Sequence, residues 1–234
     1  MKISIFSIPE VTLGKRDVKD SRLDEVYKIS QSKKETYIQV ELVSDDAALD
    51  ADAILTLKDA CTDLFLKDLE FVETRLSRTT DESEKILLNK LKNILEKEEF
   101  VFNTSFSEEE RKAMSGYGLF TNKPVIVTEK QELNNPDILL LRCLCESGFI
   151  SFFTTVGEKE TRAWLIKKGT TAWEAAGIVH SDIQKGFIRA EIISFTDLIQ
   201  SGGQTQAKQA GKVRLEQKDY VMQDGELVNF RFNR

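Results

Sequence analysis

An α+β chain is predicted, with an N-terminal α/β part interrupted by a helical hairpin and a β-grasp from about residue 149 to the end. Three observations carry this. Before Gly148 apolar residues recur mostly at steps of three and four, and after it they alternate. Two capping boxes, Ser107-Glu-Glu-Glu110 and Thr171-Ala-Trp-Glu174, open a helix in each part. Charge divides at the same place. Phe149 onward holds 12 Lys and Arg against 10 Asp and Glu, net +2, while the first 148 residues hold 21 against 29, net −8.

Composition excludes several classes. A chain of 234 residues, 41% hydrophobic and 31% charged, suits one large domain or two small ones with a real core. No apolar run approaches the ~20 residues needed to cross a bilayer, and no signal-peptide pattern follows Met1, so the expectation is a cytoplasmic protein without a membrane partner. The cysteines are odd in number. Cys143-Leu-Cys145 lacks both the spacing and the partners of a zinc site, and with one His in the chain all three, Cys61 included, are expected to be buried thiols in a reducing compartment.

The first element is the strand-like run Ile3 to Ile8, followed by Gly14-Lys15. A phosphate-cradling loop reads G-x-x-x-x-G-K-[ST], in which glycines let backbone N–H groups face the phosphates, Lys reaches the terminal oxygens and the hydroxyl holds Mg²⁺. Here Ser7 stands at the first glycine, the loop is two residues too long, and Arg16 replaces the hydroxyl. A strand and a surface turn account for the segment.

Tyr37 to Val43 reads as a strand. From Ala51 to Arg78, Ile54, Leu57, Cys61, Leu64, Leu69, Val72 and Leu76 recur at helical steps. After the polar break Thr79 to Ser83, Leu87, Leu91, Ile94 and Leu95 repeat the pattern from Glu84 to Glu99, so that two apolar stripes face each other across a hairpin over about 50–100. Self-packing explains those stripes; an arm for a protein partner is the other reading. The helix opened by Ser107 closes near Gly116 and Gly118, Lys123 to Thr128 is a short buried strand, and Asp137 to Ser147 is a helix stopped by Gly148.

Beyond Gly148, Phe152 to Val156 and Thr161 to Ile166 read as strands joined at Gly157. A short Ala-rich helix from Thr171 ends near Gly177 to His180, where an imidazole is expected to make a helix-end hydrogen bond. Gly186 to Ile193 is a third strand, and Tyr220 to Met222 with Leu227 to Phe232 form a final hairpin about Gln223-Asp224-Gly225. Trp164 and Trp173 read as core residues rather than stacking platforms.

At these residues the chain becomes specific. The stretch from Phe152 to Ile199, beginning FFTTVGEKETRAWLIKKGTTAWEAAG, followed by AKQAGKVRLEQKDYVMQDGELVNFRFN from Ala207, resembles the C-terminal TGS (DUF933-type) domain of the YchF, or Obg-like ATPase, family almost from end to end. Earlier segments are similar to the same family in pieces and in order. Asp20-Ser-Arg-Leu-Asp24 resembles its D-P-R-L-D, Asp68 to Arg78 the first arm of its helical insert, Phe106 to Glu110 the segment after that insert, and Leu119 to Pro124 the approach to its base-recognition strand. The resemblance implies a P-loop NTPase with a helical insert and a terminal β-grasp, hydrolysing ATP in preference to GTP and associating with ribosomes.

Against that pattern this chain departs. Aligned on Asp20 to Asp24, Gly14 falls after the family's first helix, so the phosphate loop, that helix and the first switch are expected to be lost. Ser44-Asp-Asp-Ala-Ala-Leu-Asp50 has no glycine where a D-x-x-G switch belongs; Asp45 or Asp46 either binds Mg²⁺ or caps the next helix. Thr128-Glu-Lys-Gln131 lacks the Asn of a base-reading element. The expectation is therefore a TGS domain, 149–234, on a reduced P-loop-NTPase-like remnant, 1–148: no catalytic residue, no cofactor, no metal, not an enzyme. Its function would be ribosome, RNA or translation-factor binding, with retained ATP or GTP binding without efficient hydrolysis as the alternative and a small-nucleotide or alarmone module as a third. Candidate polyanion contacts are Lys167, Lys168, Lys185, Arg189, Lys208, Lys212 and Arg214, which favour phosphate by charge or else form a solvated face.

Overall fold

The computed structural model describes residues 1–233. In chain order the elements are β1 (Lys2–Phe6), β2 (Gly14–Val18), α1 (Ser21–Ser30), β3 (Glu35–Thr36), β4 (Ile38–Val43), β5 (Ala53–Leu57), α2 (Cys61–Arg78), α3 (Glu82–Leu95), α4 (Glu108–Met114), β6 (Val125–Thr128), α5 (Pro136–Glu146), β7 (Phe149–Val156), β8 (Glu160–Lys167), α6 (Ala172–Val179), α7 (Ser181–Lys185), β9 (Phe187–Ile193), α8 (Phe195–Ser201), α9 (Gln204–Gln209), β10 (Arg214–Glu216) and β11 (Glu226–Phe232). They form two compact units, each discontinuous in sequence: 1–16 with 40–139, and 17–39 with the chain from 140 onward. A division at 148/149 follows sequence order; these units instead give 17–39 to the C-terminal part.

The first unit is built on a sheet ordered β2-β4-β1-β5-β6, with β4, β1, β5 and β6 parallel. Every residue of β5 is buried, as a strand covered on both faces requires. This corrects the helical reading of Ala51 to Arg78: the helix starts at Cys61, and Ile54 and Leu57 belong to the strand. A short, mostly apolar run satisfies helical spacing as well as strand spacing. The hairpin itself stands. Phe65 and Val72 of α2 share a buried cluster with Leu87, Leu88, Leu91 and Leu95 of α3. Asp81 caps α3 by accepting from the Ser83 N–H at 2.8 Å, and Arg75 bridges the two helices to Glu84 at 2.6 Å.

Asp68 is fully buried on α2 and accepts from the Phe120 N–H, the Thr121 N–H and the Thr121 hydroxyl at 2.8, 2.8 and 2.6 Å. Those donors fix the loop before β6 to the hairpin base. Desolvation still pushes the carboxyl above its usual range against these three bonds.

In the second unit a sheet runs β10-β9-β11-β7-β8-β3. The strand–strand–helix order β7-β8-α6 is followed by β9 and β11, and β7 lies beside β11 in parallel, which puts Phe152 to Val156 and Leu227 to Phe232 in one sheet, the β-grasp arrangement. One face carries Phe152, Ile166, Ala190, Ile192, Val228 and Phe230 against Ala172, Ala175 and Ala176 of α6. On the other face α1 lies over β7 and β8, and α8 over β11. The expected final hairpin is corrected. Val221 makes only an isolated bridge to Thr171, and β11 pairs with β9 from Leu227↔Ile193 to Phe232↔Phe187.

Segment 17–39 joins this unit through named contacts. Ser32 and Thr161, both buried, share a hydroxyl hydrogen bond of 2.8 Å, and Glu35 and Thr36 add β3 beside β8. Asp20 caps α1 by accepting from the Arg22 N–H at 3.0 Å. The D-S-R-L-D stretch is thus a helix start, with Asp24 accepting from the Tyr37 hydroxyl at 2.6 Å.

Cysteine placement is partly corrected. Cys143 is buried and its thiol is pushed up to about 12 by desolvation, and Cys61 is half-buried, but Cys145 is exposed. Two residues apart on α5, Cys143 and Cys145 point to opposite sides of the helix.

Candidate functional site

Ligands in open α/β sheets sit beyond the carboxyl ends of the strands, where successive connections leave in opposite directions. In the first unit that point is the end of β1, flanked by β4 and β5. The chain leaves β1 through Ser7, held at φ 56°, and the Ser4 hydroxyl donates to the Ser44 carbonyl at 3.2 Å, tying β1 to the end of β4. Ser44 is the N-cap of a short 3₁₀ turn with Asp45 and Asp46 in its first turn, so neither aspartate is the capping residue. Lys58 and Asp59 follow β5 and lead into α2. The Lys67 ammonium lies 4.8 Å from the Phe6 ring centroid and 5.5 Å from that of Phe120.

Gly14 and Lys15 open β2, an outer strand of this sheet, and the first helix after β1 is α1. At the end of β6 the polar side chains bind one another: Glu132 accepts from the Thr128 hydroxyl at 2.8 Å and the Glu129 N–H at 3.0 Å, and Gln131 donates to Glu129 at 2.6 Å. Among the described residues no group of three or more His, Cys, Asp or Glu side chains is arranged to hold a metal.

The second unit carries the basic candidates, and the sheet register separates them. Lys167 ends β8 opposite Phe149, with Lys168 beyond it. Lys185 ends α7 beside Gly186, and Arg189 lies directly across from Arg231. Because Glu226 is level with Phe152, Arg231 falls level with the Gly157 turn, about eight residues or roughly 26 Å along the sheet from Lys167. Lys167 and Lys168 therefore lie at one end, and Lys185 and Arg189 at the other.

Two further candidates are engaged. Lys212 pairs with Asp197 at 3.1 Å. Arg214 and the Tyr220 hydroxyl both donate to the buried Glu226. Lys208, exposed on α9, adds to the field around Glu191, whose carboxyl the Arg231 guanidinium holds below the ordinary range despite partial burial. Arg231 donates to Glu191 at 2.7 Å and Asn229 donates to the same carboxylate at 2.9 Å.

Sequence reasoning missed Arg231. The alternation of β11 places Asn229 and Arg231 on one face, but only strand pairing brings them beside Arg189 and Glu191.

Trp164 packs against the sheet core, its indole N–H donating to Thr154 at 2.9 Å and the Arg162 guanidinium lying 4.4 Å from its ring. Trp173, read as core, is exposed; its indole N–H donates to the Gln184 carbonyl at 3.1 Å. His180 closes α6 and caps α7, its Nδ1 accepting from the Asp182 N–H at 3.1 Å.

The family model YchF-GTPase_C, described as "Protein of unknown function (DUF933)", matches residues 149–233. The Bacillus subtilis (strain 168) protein named ribosome-binding ATPase YchF is 33% identical over 236 residues, 73% of this chain and 64% of that protein. The protein of the same name from Haemophilus ducreyi is 32% identical over 78% of this chain and 66% of its own length. The chain thus spans about two thirds of the length of these relatives. The structure of the Schizosaccharomyces pombe YchF GTPase superposes with a TM-score of 0.76 at 19% identity, over 99% of this chain and 97% of that one, and so shares the fold.

These matches overturn the expectation of a non-enzyme. The relatives are named ATPases and the structural neighbour a GTPase, so departures from a loop pattern at Ser7 to Arg16 are no ground for excluding that activity. Identity over 73% of the chain exceeds the length of either compact unit and must run through both, with one fold from end to end, and on that footing the chain belongs to the YchF family of Obg-like ATPases.

Proposed function

We propose that this chain is a ribosome-associated, nucleotide-binding protein of the ATPase class, working in the cytoplasm. The observation that carries the reading is the 33% identity, through both units, to a protein named for ribosome binding and ATPase activity. Two features of the fold support it: strands β4, β1 and β5 end together at the point where α/β sheets take ligands, and the second unit presents cationic side chains on one end of its sheet. Among the described residues no helix is long and apolar enough to cross a membrane.

Within this reading the second unit meets ribosomal RNA at the end of its sheet that carries Lys185 and Arg189, with Lys208 adding its charge, while Lys167 and Lys168 lie at the other end and Lys212 and Arg214 are held by Asp197 and Glu226. The α2–α3 hairpin, with Leu66 and Ile86 exposed on it, is open to a protein of the translation machinery. The test has two arms. Isothermal titration with Mg·ATP and Mg·GTP, alongside phosphate release, is expected to show saturable nucleotide binding. Sedimentation of the chain through a sucrose cushion with purified ribosomes is expected to show salt-sensitive co-pelleting. A chain that neither takes up nucleotide nor pellets with ribosomes at low salt is not what this reading describes.

A further inference from the structure

We propose that the uncovered part of the second unit's sheet, where Arg189 of β9 faces Arg231 of β11, docks the phosphate backbone of RNA. The proposal rests on the ribosome-associated reading above and names the surface and chemistry of that contact. Its starting point is a charge arrangement that folding alone does not favour. Arg189 and Arg231 are directly opposite on antiparallel strands, so their side chains leave the same face at close spacing, and like charges in that position repel. Arg231 is compensated by Glu191 at 2.7 Å, a carboxylate that also holds the Asn229 amide at 2.9 Å. Among the described residues Arg189 has no carboxylate partner, and it is exposed.

Lys208 adds its charge from α9 to the field at Glu191, so that this patch of three cations and one carboxylate is net positive on a chain that is net negative. Leu215, the cross-strand neighbour of Glu191 on the outer strand β10, lies exposed beside it. Glu191 acts as the positioning residue. It fixes Arg231 and Asn229 on the sheet face and leaves Arg189 to an outside anion. The occupant this suits is a phosphodiester chain: guanidinium forks bind phosphate oxygens in pairs, and an adjacent amide donates to phosphate or sugar without reading sequence. An acidic protein offers carboxylates at irregular spacing, which a rigid cross-strand pair matches less well. Lys167 and Lys168 lie at the other end of the sheet and are outside this surface.

The experiment uses the full chain, Arg189→Glu, Arg189→Gln and, as a control, Lys167→Glu with Lys168→Glu. The probe is a fluorescently labelled single-stranded RNA oligonucleotide of mixed sequence, titrated by anisotropy across a salt series. The unaltered chain is expected to bind with an affinity that falls as salt rises. Arg189→Glu is expected to weaken binding by about tenfold at low salt, and each lost phosphate contact to reduce the slope of log affinity against log salt by about 0.7. Arg189→Gln should fall between the two.

A merely structural role for Arg189 predicts the opposite change in thermal stability. Here Arg189→Glu creates an opposite-charge pair with Arg231, so the melting temperature should stay level or rise while binding is lost. No RNA binding by the unaltered chain, equal binding by Arg189→Glu, or an equal loss in the control overturns the inference. Ribosome pelleting that persists in Arg189→Glu leaves the ribosome reading standing and removes this surface from it. Pelleting that Arg189→Glu abolishes but free RNA does not compete assigns the surface to an acidic protein and likewise overturns the RNA proposal.

Discussion

Arg22 and Asp224, 202 positions apart, meet in the second unit with Nη1 2.6 Å from Oδ2. The same guanidinium grips Asp20 through Nε and Nη2 at 3.0 and 2.7 Å and donates to the Ser151 hydroxyl at 3.2 Å. Asp224 in turn accepts from the Ser151 N–H at 2.9 Å. One arginine thereby ties the start of α1, the beginning of β7 and the turn before β11. Gly225 completes the arrangement: at φ 77° it sits where an added Cβ would come within 3.0 Å of the Arg22 guanidinium.

Removing that arginine leaves the buried Asp20 carboxylate without its bidentate partner. Arg22→Ala is expected to cost about 2–3 kcal/mol, and Arg22→Lys most of that, because an ammonium cannot bridge both carboxylates. Urea denaturation of the full chain, followed at the second unit's tryptophans, measures it; an unchanged midpoint would show the clasp to be energetically idle. Burial raises the Asp224 carboxyl, but Arg22 and the Ser151 N–H outweigh it and hold the group below its ordinary range. Its contribution is therefore present above the unfolded carboxyl value and lost as pH falls through the folded one. Arg22→Ala should flatten the acid limb of stability against pH.

Asp68 has the opposite sign. Its folded carboxyl is raised by desolvation, so the stability linked to it is fully present below the unfolded value and declines as pH rises through the folded one. Asp68→Ala leaves three donors at Phe120 and Thr121 unpaired in the interior and is expected to cost about 3 kcal/mol at neutral pH. Calorimetric melting at several pH values reads both effects, and a wild-type-like transition would contradict them.

Gly186 is required by close approach. A Cβ there would come 2.0 Å from the Asn233 carbonyl oxygen, and the Asn233 N–H donates to the Gly186 carbonyl at 2.9 Å. Gly186→Ala is expected to push the end of β11 from β9 and to cost about 1–3 kcal/mol. Hydrogen exchange should show faster amide exchange at Phe232 and Asn233, with β7 unaffected.

Ser7 adopts a left-handed backbone at the end of β1. Such a conformation costs an L-residue other than glycine roughly 1 kcal/mol, so Ser7→Gly is expected to leave stability level or raise it by up to about 1 kcal/mol, offset in part by the freer unfolded chain. Equilibrium unfolding decides it, and clear destabilisation would mean that the Ser7 side chain makes a contact the fold needs.

The sequence by itself determined whatever depends on near neighbours. The capping boxes at Ser107–Glu110 and Thr171–Glu174 form as written, since a cap is a bond over three residues. The facing stripes of α2 and α3 and the alternating strands β7 and β8 were likewise legible, as was the family, which short stretches from Phe152 onward identify. The tertiary structure decided what depends on register and burial. Ala53–Leu57 is a strand because both of its faces are covered, which a short, mostly apolar run cannot announce. Val221 pairs with Thr171 rather than with β11, whose two edges are taken by β9 and β7. Arg231 stands beside Arg189, Lys167 lies at the far end of the same sheet, and Arg22 reaches Asp224, because long-range strand pairing and helix docking set those distances. Periodicity along a chain gives the face on which a side chain lies, and only the packing of elements remote in sequence gives its neighbours on that face.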